Sequence, residues 1–273
     1  MDLRKFSGSS RIDEEELLSL WWYQPYIFGD DIVSGIAPSW FMKGLDSSII
    51  RRSQRPHEFK RFWDLSVRAA RMYQDWIQAL CDLSHVDLKR ASVFEMACNS
   101  GYLLFSLKEL GARYCVGIDQ AELQRQRSIL GEITGIDDID FREGKWSSET
   151  HSISGLHEDE RFDLVMCTAF AQHISDPLHL FRELSNITGK ALLLHTAVGG
   201  FNSGMGVSYI PAEHHEKWGD MFPNNFDTAV SPKLLEHSLR QCGFKEIIKL
   251  KYSRKWLPWL KYYRVLSTVV CLK

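Results

Sequence analysis

Two hydrophobic periods run along this chain, and the change between them divides it. Up to about residue 85 the pattern is helical or irregular. From Asp13 to about Trp22, Leu17, Leu18 and Trp21 form an apolar stripe behind the acidic Glu14, Glu15 and Glu16, which suits a helix capped by Asp13. The stretch 22–36 is aromatic and punctuated by Pro25, Gly29 and Gly35, so it reads as a small hairpin or gate. From Pro56 to Leu83, Phe59, Phe62, Ala69, Met72, Tyr73, Trp76 and Leu80 keep a period near 3.6, predicting the longest amphipathic helix.

From Ser92 the pattern alternates between short, nearly all-apolar runs and helical ones. The runs predict strands at 92–97, 114–119, 139–142, 162–167, 191–195, 244–250 and 266–271. Helices are expected at about 102–110, 122–132, 177–184 and 232–241. Strands apolar on both sides and joined by helices imply a parallel sheet covered on both faces. The expected fold is α/β: a Rossmann-like, seven-stranded, mostly parallel sheet with helices on both faces, an antiparallel edge and an N-terminal helical cap. The cap is expected over 1–85 and the sheet domain over 86–273, with a Gly- and His-rich lid insertion at about 198–227.

Charge and cysteines narrow the function classes. With 33 Lys and Arg against 35 Asp and Glu, the chain lacks the global basic excess that drives nucleic-acid binding. The six cysteines are scattered without CxxC spacing and sit mostly in apolar runs, as reduced thiols do. The N-terminus leads into acidic residues rather than an apolar signal core, and no run approaches the length of a membrane span, so the expected location is the cytoplasm, with no membrane partner. His214-His215-Glu216 lacks the i, i+4 spacing of a helical metal pair, so no metal is expected.

The chemistry centres on Val93-Phe94-Glu95-Met96-Ala97-Cys98-Asn99-Ser100-Gly101-Tyr102, a strand, a tight turn and a helix start. In an open α/β sheet such a turn is where ligands bind. A dinucleotide fingerprint needs glycines where Ala97, Asn99 and Tyr102 stand, and no Walker Gly-Lys-Ser/Thr follows. An acid at the strand end followed by one glycine suits a cationic ligand without phosphates, and S-adenosylmethionine (SAM) is such a ligand. Asp119, with Gln120 beside it, closes the next strand, where an acceptor-only carboxylate can bind both ribose hydroxyls. Lys145 and Trp146 follow the third strand, where they can flank an adenine. Cys98, and Cys167 with Thr168 at the end of the fourth strand, complete the expected cofactor set.

These features resemble a class I SAM-dependent methyltransferase and, more narrowly, the group containing the tRNA wobble-uridine carboxymethyltransferase. The resemblance rests on Trp22-Tyr23 with Gly29-Asp30, Phe62-Trp63-Asp64, Glu95-x-x-Cys98-Asn99-x-Gly101-Tyr102, Val116-Gly117-Ile118-Asp119, Phe162-Asp163-Leu164-Val165, His173 with Asp176-Pro177, and Cys242-Gly243-Phe244. The chain departs from that group at four places. Gln172 stands where the group has the tyrosine that helps hold carboxy-SAM, Gln24 where it has a histidine, His195 where an acid usually ends the fifth strand, and Ala97 and Asn99 at loop glycines. These departures point to plain SAM.

The leading expectation is therefore methyl transfer to oxygen or nitrogen of a small organic molecule. The reaction is an in-line displacement that chiefly needs alignment, with a histidine base for a protonated acceptor. His173 and His195 are the candidate bases, and Trp22, Tyr23, Gln172 and His214 the candidate acceptor contacts. A tRNA-modifying enzyme using SAM or carboxy-SAM is the second reading, carried by the resemblance and by the basic run Arg51-Arg52-Ser53-Gln54-Arg55 near Lys60-Arg61. A non-catalytic SAM-binding protein is the third.

Overall fold

The computed structural model describes residues 2–3, 13–34, 49–199, 204–211, 226–250 and 266–273. Its centre is one sheet of seven strands: β1 (Ser92–Met96), β2 (Tyr114–Asp119), β3 (Ile139–Glu143), β4 (Phe162–Thr168), β5 (Thr188–Ala197), β6 (Glu246–Lys249) and β7 (Leu266–Leu272). They lie in the order β6-β7-β5-β4-β1-β2-β3. Strands β1 to β5 run parallel, and β7 is antiparallel to both β5 and β6. The order reverses between β1 and β4, so the crevice outside their carboxyl ends is the topological switch point where such sheets bind ligands.

The helices are α1 (Glu14–Ser19), α2 (Pro56–Ser84), α3 (Tyr102–Glu109), α4 (Gln124–Thr134), α5 (Pro177–Ile187) and α6 (Pro232–Gln241). Alternation along each strand divides the core. Val93, Leu164, Met166, Leu193 and Val270 pack with residues of α2, α3 and α4. Phe94, Val165, Cys167, Leu192 and Cys271 pack with residues of α5 and α6 on the other face. Each such wholly buried large apolar side chain contributes about 1.5–3 kcal/mol. The segment expected as a cap shares the first of these cores, through Leu17, Trp22, Tyr26, Tyr73 and Trp76.

Several boundaries differ from expectation for local reasons. Asp13 caps α1 through the Glu15 amide, but the helix stops at Ser19, where Leu20 turns extended. Strand β5 begins at Thr188 rather than 191, because α5 runs to Ile187 and passes straight into it. The expected hairpin forms from Ile27–Phe28 and Ile32–Ser34. Within the lid insertion, Val207–Pro211 pairs antiparallel with Phe226–Val230. Among the described residues no helix is long and apolar enough to cross a membrane.

Candidate active site

The turn after β1 keeps a left-handed path without most of its glycines. Ala97, Asn99 and Gly101 have φ of 55°, 57° and 92°. A Cβ on Gly101 would stand 2.6 Å from the Phe141 ring, so glycine is required there twice over. The other two positions carry strain of order 1–2 kcal/mol each. At Asn99 the side-chain oxygen accepts the Ser100 amide at 2.8 Å, which offsets part of it.

Three side chains grip this loop. Asp119 accepts the Asn99 amide at 2.7 Å. Arg127 of α4 donates to the Asn99 carbonyl at 3.0 and 2.7 Å and lies over the Phe141 ring. Gln24, buried in the N-terminal segment, accepts from the Ser100 hydroxyl at 2.9 Å, the Tyr102 amide at 3.0 Å and the Tyr26 hydroxyl at 3.1 Å. Gln24 was legible only as a departure from a family histidine. Arg127 gave no signal, since Gln124-Arg125-Gln126-Arg127 reads as a solvated helix face.

Glu95 lies beneath the loop with no exposed surface, and neither carboxyl oxygen has a hydrogen-bond partner among the described residues. Burial, and next the negative charge of Asp119, hold its carboxyl well above the usual carboxylate range, opposed by Arg127. Burial without a partner disfavours the charged form of this carboxyl. Asp119 is half-buried and also accepts the Ala121 amide at 2.8 Å. Those two backbone bonds leave lone pairs on both oxygens. Beside it opens a groove of about 620 Å³ lined by Asp119, Gln120, Glu122, Arg127, Phe141 and Glu143. Tyr23 stands near enough to Asp119 that burial, and then this charge, push its phenol up to about 12.

Across the crevice, β4 ends at Thr168, and a single 3₁₀ turn, Ala171–His173, follows. His173 Nδ1 lies 2.8 Å from Asp227 Oδ1, and Asp227 is buried on the strand Phe226–Val230. The Thr228 hydroxyl pins that strand to the turn by donating to the carbonyls of Ala171 and Gln172 at 3.2 and 3.3 Å. A carboxylate accepts only, so it fixes the proton on Nδ1 and leaves the lone pair on Nε2, which faces the Gln172 amide nitrogen at 3.4 Å. Asp227 was not anticipated: it ends an insertion whose pairing no local pattern reveals.

The remaining predicted residues separate into reachable and buried. Gln120 and Lys145 are exposed, and Ala97 and Thr168 half-buried. Cys98 and Cys167 are fully enclosed, and burial pushes the Cys167 thiol up to about 12. Trp22 has no exposed surface, donates its indole N–H to the Leu17 carbonyl at 3.0 Å and packs on Tyr26 and Phe28. Trp146 is buried in the core, its indole N–H on Asp176 at 3.0 Å, so it offers little surface to a base. Gln172 is buried, with a side-chain oxygen that finds no partner among the described residues. His195 is enclosed under α2, packed at a tilt on the Trp76 ring and 2.7 Å from the Thr268 hydroxyl. Burial pushes it down to about 3, so it stays neutral and has no path to a reacting group. His214 lies outside the described residues.

The comparisons with known proteins agree with this geometry. The family model described as a methyltransferase domain matches residues 68–247, well over half of the chain. The chain belongs to this methyltransferase-domain family. A ubiquinone biosynthesis O-methyltransferase of Neisseria meningitidis serogroup C (strain 053442) is 29% identical, over 58% of this chain and 66% of that protein. A tRNA U34 carboxymethyltransferase of Sulfurimonas denitrificans is 26% identical, over 37% of this chain and only 32% of that protein. Among solved structures, the N-terminal domain of EvdMO1 in the presence of SAH and D-fucose superposes with a TM-score of 0.58 at 16% identity, covering 97% of this chain and 98% of that one. Magnesium protoporphyrin IX methyltransferase from Synechocystis PCC 6803 with bound SAH gives 0.54 at 16% identity, covering 77% and 85%. At these identities the structures speak to the fold, which is the Rossmann-like methyltransferase fold.

Proposed function

We propose that this protein uses SAM to methylate a hydroxyl oxygen of a small organic molecule, with His173 as general base. The observation that carries the reading is the His173–Asp227 pair at the carboxyl end of β4, 2.8 Å apart. Asp227 holds the ring in the tautomer whose Nε2 accepts a proton, and its charge stabilises the imidazolium that then forms. Gln172 would release its contact with Nε2 as the acceptor hydroxyl arrives.

The residues of the crevice fit SAM. Asp119 retains lone pairs for ribose hydroxyls beside the groove, and Glu95, enclosed under the loop, acts on SAM only through that loop. Bound there, SAM supplies a methyl carbon activated by a sulfonium. The chain's own work is to align the acceptor with that carbon and to take its proton. The ubiquinone O-methyltransferase relative supports a small acceptor. The tRNA reading is weakened by its basic run, because Arg51 pairs with Glu14 and Glu15, Arg52 donates to the Asp30 carbonyl and Lys60 pairs with Asp64.

Calorimetric titration of the wild type and Asp119→Ala with SAM tests the cofactor side. Loss of the acceptor for the ribose hydroxyls should weaken binding by about 10-fold or more, and unchanged affinity removes Asp119 from the site. No SAM binding removes the proposal. Transfer of labelled methyl from SAM to a panel of phenols and sugars, against bulk tRNA, tests the acceptor. Labelling of tRNA alone would replace the small-molecule reading.

A further inference from the structure

A second cluster lies outside the His173–Asp227 pair. His151, Asp176 and His179 converge from the turn between the strands Trp146–Ser147 and Ser152–Ile153, the N-cap of α5 and its first turn. One ligating atom from each lies within 4.8 Å of the others. His151 Nε2 is 3.4 Å and His179 Nδ1 3.8 Å from the same oxygen, Asp176 Oδ2. The two imidazoles stack with centroids 3.8 Å apart and planes 11° apart. His151 reaches this position from a left-handed backbone, φ 52°, that a histidine rarely adopts.

The carboxylate is held in place from behind. Asp176 Oδ1 accepts the Trp146 indole N–H at 3.0 Å and the Ser148 hydroxyl at 2.7 Å. This turns Oδ2 toward the histidines, where it is buried and accepts no hydrogen bond among the described residues. A buried anionic oxygen with no donor, facing two imidazole nitrogens, lacks a cation. A metal bound tetrahedrally at about 2.0–2.1 Å from each donor keeps neighbouring donors about 3.3–3.5 Å apart. The observed separations of 3.4 and 3.8 Å are close to that, and because the stacked rings send their in-plane lone pairs side by side, one exposed imidazole turns about its ring torsion so that both meet the ion. Two imidazoles and one carboxylate suit zinc-class ions rather than magnesium or calcium, and Trp146 and Ser148 form the outer shell that orients such a ligand.

The geometry points to a divalent transition-metal site formed by His151, Asp176 and His179, with its remaining coordination position open to solvent. Asp176 and His179 are three residues apart but His151 lies on a separate turn well before them, so no spacing motif announced the three together. The bound ion clasps the turn carrying His151 to the start of α5, three residues beyond His173, and so stiffens the segment that presents the base.

Zinc titration of the chelator-stripped full chain, by calorimetry and competition with a chromogenic chelator, tests this. The expected result is one equivalent bound and an upward shift of the thermal midpoint. The His151→Ala/His179→Ala double variant should bind more than about 100-fold more weakly, and Ser148→Ala, which loses only an outer-shell bond, about 10-fold more weakly. Both histidines are exposed, so the metal-free double variant should melt with the wild type; if it does not, His179→Gln alone carries the same test. Failure of the wild type to bind zinc stoichiometrically overturns the site. Undiminished binding by the variants also overturns it, since the ion would then lie among other histidines.

Discussion

The two sides of the crevice are built by opposite means. The proposed cofactor side is mostly local: its central bond joins Asn99 to Asp119, 20 residues apart, across two adjacent parallel strands. The proposed acceptor side is remote: His173 is oriented by Asp227, 54 residues further on, from a hairpin outside the central sheet. On the first side backbone amides and a strained turn do most of the shaping; on the second a single side-chain pair does. Ala97 and Asn99 hold left-handed backbone at two positions where the resembled family has glycine.

The sharpest test of that contrast is on the acceptor side. His173→Ala should lower kcat by about 10²- to 10⁴-fold, roughly 3–5 kcal/mol of transition-state stabilisation, with SAM affinity unchanged. Asp227→Asn should act in the same direction by less. Steady-state kinetics paired with SAM calorimetry decides it, and a variant that loses SAM binding would place His173 on the cofactor side instead. Next in size is Gln24→Leu, which removes the acceptor of the buried Tyr102 amide. The Tyr26 and Ser100 hydroxyls can still bond each other at 3.0 Å, so the expected cost is about 2 kcal/mol in denaturant unfolding, with weaker SAM binding and an unaltered acceptor KM. Unchanged SAM affinity would mean that the N-terminal segment does not support the loop.

His195 separates packing from chemistry. In the folded protein it titrates near 3, against an ordinary 6.5 in the unfolded chain. Only the unfolded chain gains a proton between those values. The stabilising contribution is therefore complete above pH 6.5 and lost as pH falls toward 3, by up to about 1.4 kcal/mol per pH unit. His195→Leu should flatten this part of the stability–pH curve and leave kcat unchanged at pH 8. Parallel acid losses in variant and wild type would deny His195 that role. The smallest effect belongs to Ala97→Gly, which relieves a left-handed alanine but loosens the unfolded chain. A gain of about 0.5 kcal/mol is expected from the balance, read from the denaturation midpoint.

The sheet was readable because each of its strands is a contiguous run whose burial on both faces makes it apolar throughout. Strand β2 and helix α6 fell within the expected limits, Tyr114–Asp119 and Pro232–Gln241. Boundaries failed where one element runs directly into another, as α5 does into β5. The placement of Glu95, Gly101 and Asp119 at the ends of β1 and β2 and at the turn between β1 and α3 was legible because strand ends and turns leave local marks. His195 misled because a histidine at a strand end looks the same in sequence whether it faces the crevice or the underside of a helix. Trp22 and Trp146 misled for the same reason, as an indole serves a core as readily as a ligand.

By itself, then, the amino-acid sequence determined the α/β class, the strands and helices, the turn after β1 and the acids that close β1 and β2. All of these depend on hydrophobic period and local backbone preference. Tertiary structure decided the rest: that Gln24 and Arg127 grip the loop, that Asp227 orients His173, that His195 is silenced under Trp76, and that His151 and His179 face one oxygen of Asp176. The reason is physical. Periodicity records which side of an element is buried, but hydrogen bonds and charge pairs between distant elements exist only once the sheet has fixed their distances.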